Sequence, residues 1–194
     1  MKPTKPPSAE RGRPRDEAST DAILTATLRL LAERGYRKLS LDDVVTAAHV
    51  SKATVYRRWE SKAQIVAAAI RAALVQANPT IPDTGDARRD VTRVLENTIR
   101  TLAKHPFGSA VRALVSEAMF DAELAAAVRE VEVQRREILR TVVARAVEKG
   151  ALAGDVELLV DVLLGAPYFQ LFVRQRVPAA RLAADVVDLL GGDA

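Results

Sequence analysis

Apolar residues recur along most of this chain at intervals of three and four, with no useful stretch of strand-like alternation. Ile23, Leu24, Thr27, Leu28 and Leu31 fall on one face of a helix that begins near Asp16, and Gly35 suits a left-handed stop. Ser40 followed by Asp43 has the form of a capping box, with Asp in place of the usual Glu or Gln, and opens a short helix with Val44, Val45 and Ala48 on its apolar side. His49-Val50-Ser51 interrupts it, and Ser51 caps a second short helix that runs to about Arg58. Ser61 and Gln64 repeat the capping pattern ahead of Ile65, Val66, Ala69, Ile70, Ala73 and Leu74.

The segment NPTIPDTGD at 78–86 stops helices, because it holds two prolines and a glycine. Beyond it, Val91, Val94, Leu95, Thr98, Ile99 and Leu102 keep helical spacing up to His105-Pro106. A further helix is expected over Ser109–Ala118. A long one runs from a cap at Asp121 to Lys149-Gly150, and another from a cap at Asp155 to about Arg174. The last begins at Val177-Pro178 and closes at Gly191-Gly192. The expected fold is all-α with about nine helices. It divides into a basic arm over 1–15, a first domain over 16–77 and a second over 78–194.

Composition supports helices: aromatics make up only 4% of a chain that is 48% hydrophobic, and Ala, Leu and Val dominate. With no cysteine, disulfides and thiolate chemistry are excluded. No signal-like segment is apparent and no apolar run approaches a membrane span, so a cytoplasmic location with no membrane partner is expected. Charge is uneven along the chain: the net is +4 over 1–15, +2 over 16–79 and −2 over 80–194. The basic excess at the N-terminal end points to a polyanion partner.

The densest part of that excess is SKATVYRRWESK at 51–62, which also holds the single tryptophan. Two short helices joined by a tight turn, with a longer helix in front, form a helix-turn-helix whose second short helix enters a major groove of double-stranded DNA. Val55 and Trp59 share the inward side of that helix, spaced by four, which leaves Lys52, Ala53, Tyr56 and Arg57 to project outward. Lys or Arg can pair with guanine, and Ala53 or the Thr54 methyl can meet a thymine methyl. Lys62 and Ser40, each at a helix start, suit phosphates.

Residues 16–75 resemble the N-terminal domain of the tetracycline-repressor (TetR) family of transcriptional regulators. The stretch VSKATVYRRWESK carries the resemblance most specifically, and GRPR before the first helix is a frequent companion of it. The resemblance implies a homodimer that binds a palindromic operator. It places Lys52, Ala53, Thr54, Tyr56, Arg58 and Lys62 at bases or backbone, and Ser40 and Ser51 at phosphates. His49 stands where the family usually has a glycine with positive φ, a region His tolerates better than most residues. The C-terminal part matches more broadly, with ELAAAVRE and LLGAPYFQLF resembling one subgroup's second domain. There the family binds a small effector and dimerises.

No catalytic motif, metal-ligand spacing or cofactor loop stands out in residues 86–194, so no enzyme activity, metal or cofactor is expected. Leu102, Phe107, Met119, Phe120, Tyr168 and Phe172 can line an effector pocket with Arg112 or Glu117 as its polar group; plain core is the alternative for each. Leu159 and Leu163 on one helix, with Leu182, Val186 and Leu189 on the next, make stripes suited to an intermolecular four-helix bundle. The expected function is an effector-released repressor. A helical adaptor or a small helical enzyme is the competing reading, and activation in place of repression stays open.

Overall fold

The computed structural model describes residues 13–176 and 180–191. Among these, helices account for all regular structure: α1 (Arg13–Lys38), α2 (Leu41–Ala48), α3 (Lys52–Tyr56), α4 (Lys62–Ala77), α5 (Ala87–Ala103), α6 (Phe107–Ala118), α7 (Ala122–Glu148), α8 (Val156–Tyr168) and α9 (Leu182–Leu189). The all-helical expectation and the helix order hold. The first helix starts earlier than expected, so residues 13–15 of the anticipated arm are helical. Residues 1–12 of that arm, and the expected helix start at Val177-Pro178, lie outside the described residues.

Local chemistry explains most boundaries. Ser40 accepts from the Asp43 amide at 3.1 Å, and the Asp43 carboxylate accepts in return from the Ser40 amide at 3.1 Å, which closes the capping box. Ser51, Ser61, Asp86, Asp121 and Asp155 cap their helices from one side only, each accepting from the amide three residues on. Gly35 interrupts α1 at φ 75, ψ 170, a conformation open essentially to glycine alone. α8 was expected to run unbroken to about Arg174. Instead Pro167 leaves the Leu163 carbonyl without its helical donor, and a wider π turn spans Phe169–Val173.

His49 ends α2 in the left-handed region, at φ 53 and ψ 41, as its place in the turn implies. Its amide bonds back to Thr46 at 3.3 Å. A side chain there works against the backbone, so His49→Gly is expected to raise stability by about 0.5–1 kcal/mol, the left-handed strain relieved outweighing glycine's entropy. An unchanged or lower urea midpoint would show that the His49 side chain compensates for its backbone.

The apolar interior forms two clusters. One joins α1, α2, α3 and α4 to α6 and the first half of α7, through Ile23, Leu31, Val55, Trp59, Ile65, Val111, Leu114 and Leu124. The other joins α5, the second half of α7, α8 and α9, through Val91, Leu95, Val143, Leu163 and Val187. The clusters do not part at the proline segment: α6 packs along α1, so the helix-turn-helix shares its core with the second half of the chain. An ion pair between Arg37, in the last turn of α1, and Glu117 of α6 (2.8 Å) fastens the same seam.

Candidate nucleic-acid interface and interior cavity

α3 is held from behind. Val55 is fully buried and Trp59 nearly so, both in the core shared with α1 and α4. The backbone keeps turning past Tyr56: the amides of Arg58 and Trp59 both reach the Val55 carbonyl at 3.0 Å, which carries the reading expected through Arg58. On the opposite side Ser51, Lys52, Ala53, Tyr56 and Arg57 are exposed, with Thr54 half-buried. Thr54 and Ser51 bond each other, hydroxyl to hydroxyl at 2.8 Å.

Several of the expected DNA contacts have partners inside the protein. Arg58 is half-buried and donates to the Thr20 hydroxyl of α1 at 2.7 Å. Lys62 donates to the Tyr36 carbonyl at 2.9 Å, with its ammonium 4.1 Å from the centre of the Tyr36 ring. These two cations clamp α3 and α4 to α1. The Ser40 hydroxyl donates to Asp43 at 2.5 Å, so its proton is engaged by the capping box.

Asp42 is the residue that sequence reasoning missed. Its carboxylate accepts from Lys52 at 2.8 Å and from the Tyr56 hydroxyl at 3.3 Å. The Lys52 hydrogen bond holds the Asp42 carboxyl below its usual range, and Asp42 raises Lys52 in turn. One acid therefore sets the positions of two outward side chains on the next helix. Its separation of ten residues from Lys52 has no periodic signature, so only the turn geometry reveals it.

Further in, a cavity of about 140 Å³ opens among α4, α5, α6, α7 and α8. Leu102, Phe107 and Tyr168 line it, together with Ile70, Leu74, Val111, Leu114, Leu124 and Val131. The other expected pocket residues lie elsewhere. Met119 and Phe120 follow the end of α6 and are exposed. Glu117 is tied to Arg37, and Arg112 borders a separate open hollow beside His105, Ser109 and Phe172. Phe172 touches the cavity only through its edge-on stack with Tyr168, ring centres 4.8 Å apart. The charged groups in the cavity wall are Glu132 and Arg135 of α7.

The expected dimer stripe also needs correction. Leu159, Leu163 and Val186 are buried within the single chain, in the second core cluster; Leu182 packs against that cluster, and Leu189 alone of the set is exposed. α8 is apolar on both sides, and its outward side carries Leu158, Val162 and, through the π turn, Phe169 and Val173. The span Val156–Val173 is long and apolar enough by length and composition to cross a membrane, contrary to the expectation that no run reaches that length. A third of it is buried, and its inner side packs on α5, α7 and α9 as a core helix does.

Comparison with known proteins gives matches over both halves. Residues 23–69 match the family described as bacterial regulatory proteins, tetR family, and residues 81–190 match the tetracyclin repressor-like C-terminal domain. The uncharacterized HTH-type transcriptional regulator Rv1556 of Mycobacterium tuberculosis is 34% identical over 169 residues, covering 86% of this chain and 82% of its own. The DNA-binding transcriptional repressor TetR of Mycobacteroides abscessus is 40% identical over 77 residues, 40% of each chain. The crystal structure of the TetR family transcription regulator SCO0332 superposes with a TM-score of 0.69 at 30% identity, covering 91% of this chain and 98% of that one.

Proposed function

We propose that this chain, which belongs to the TetR family of helix-turn-helix transcriptional regulators, is a repressor that binds a palindromic operator as a homodimer and is released by a small, mostly apolar effector. The observation that carries the reading is α3 itself: one side is locked by Val55 and Trp59, and the other presents Lys52, Ala53, Tyr56 and Arg57. Tyr56 and Arg57 face base edges, Lys52 exchanges Asp42 for a phosphate, and Ser51 and Thr54 face the backbone. Lys62, Arg58 and Ser40 act chiefly by holding the reading head in place. The repressor role is supported by the likeness to the Mycobacteroides repressor over 77 residues.

Two copies meet through the outward sides of α8 and α9, where Leu158, Val162, Phe169 and Leu189 are exposed. Two-fold pairing then sets the α3 helices about 34–36 Å apart, on successive major grooves. An effector in the cavity separates α4 from α6 and α7. α4 carries the change to the reading head through Lys62, and α6 carries it through its seam with α1. Only an effector that binds the two head spacings unequally drives release.

The test is a gel shift on the DNA upstream of the protein's own coding region, repeated over a range of salt. The wild-type protein is expected to retain that fragment at salt that frees random duplex. Tyr56→Ala and Arg57→Ala should each weaken the specific complex by about 1–3 kcal/mol, with non-specific binding little changed for Tyr56→Ala. Phe169→Glu should sediment as a monomer and lose the specific complex. Equal affinity for both duplexes, or a monomer that still binds specifically, would end the reading.

A further inference from the structure

Arg135 is a buried cation with an unmet hydrogen bond, in the wall of a mostly apolar cavity. Its side chain is only 12% exposed, and its Nη1 is sealed from solvent with no acceptor in reach. The nearest carboxylate, Glu132, stands 3.8 Å from Nη2, long for a hydrogen bond, and lies 4.0 Å from Arg136 as well. One face of the guanidinium rests on Tyr168, 5.0 Å from its ring centre, and the residue as a whole borders the cavity. Arginine cannot shed its proton to relieve the burial. A buried N–H without an acceptor is unfavourable, and any molecule that supplies one there gains a strong contact.

The rest of the wall states what that molecule must otherwise be. Leu102, Phe107, Val111, Leu114 and Val131 offer no polar group. A cavity of this size is comparable to one of about 150 Å³ that takes up benzene. We propose that the effector is a small apolar carboxylate, with a body about the size of one ring and a single carboxyl group seated on Arg135. The two oxygens of a carboxylate match the guanidinium fork, which an alcohol or an amide oxygen does less well. An amine is disfavoured: the carboxylate available to it, Glu132, is 40% exposed and already shared by two arginines. The proposal rests on the cavity being the effector site and adds the chemistry of its occupant.

Calorimetric titration of the full chain with cyclohexanecarboxylate, cyclohexylmethanol and cyclohexylmethylamine tests it, since the three share one body and differ in the head. The acid is expected to bind at least about ten-fold more tightly than the alcohol. Arg135→Gln should erase that preference while leaving the alcohol's affinity and operator binding in place, and Arg135→Lys should keep part of it. Alcohol or amine binding as tightly as the acid to the wild-type protein would overturn the assignment, as would a preference that survives Arg135→Gln. Should Arg135→Gln fail to fold, the wild-type ranking decides. If the alcohol binds and loosens the operator complex with no advantage for the acid, the effector site stands and the anion assignment falls. If none of the three binds to protein that still shifts its operator, both fall.

Discussion

Replacing Trp59 by alanine is expected to cost about 3–5 kcal/mol of stability and to remove specific DNA binding with it. Trp59 sits at the junction of α3 and α4, 9% exposed, in the core cluster that also takes in Val55, Ile65 and Leu31. Its amide closes the last turn behind α3 on the Val55 carbonyl at 3.0 Å. Taking away the indole empties the space that keeps the reading helix pressed on α1, and a five-residue helix has little stability of its own. Because this is the only tryptophan, unfolding must be followed by circular dichroism against urea, not by fluorescence. Against a typical total of about 5–15 kcal/mol, such a loss leaves little margin. Trp59→Phe keeps most of the apolar volume and should lose less on both counts. A Trp59→Ala protein with an unshifted midpoint and full operator affinity would show that α3 is anchored some other way.

The second large effect comes from a glycine. A Cβ added at Gly108 would lie 1.9 Å from the Leu102 carbonyl oxygen and 3.0 Å from its carbon. Both are backbone atoms, so no side chain can swing aside, and the join between α5 and α6 has to move. The Gly108 amide is also tied to the Lys104 carbonyl at 2.8 Å, across the same join. Overpacking against backbone places Gly108→Ala at about 3 kcal/mol of lost stability. For a chain of this length that is a fall of about 6–12 °C in melting temperature. Leu102 and Phe107 flank the join and both line the cavity, so ligand uptake should fail alongside stability. Unchanged melting together with normal ligand binding would mean that the two helices can slide apart at no cost.

How much of this could be read in the residues depends on the range of the interaction involved. The capping box at Ser40 and Asp43, the caps at Ser51 and Ser61 and the left-handed turn at His49 all act within a few residues, and all were legible. The split of α3 into an inward side with Val55 and Trp59 and an outward side with Tyr56 was legible too, because a polar helix has one apolar face. α8 is apolar nearly all round, so periodicity cannot rank its sides, and Leu159 and Leu163 were placed outward when they face the core. The partners of Arg58, Lys62 and Arg135 were illegible for a different reason. A long charged side chain on a helix is assigned to solvent or to a ligand by default, and its actual neighbour lies on a distant helix: Thr20, Tyr36 and Tyr168 respectively.

The core shared by α1 and α6 bears on how such regulators can be recombined. A chimera cut at the proline segment would leave Val111 and Leu114 of α6 sharing a core with a foreign α1 and α4, and Leu31 and Val66 sharing one with a foreign α6. The reading head is therefore not a cassette that ends where its sequence motif ends. Any exchange between relatives has to carry α6 along with the first four helices, or re-tailor that seam residue by residue.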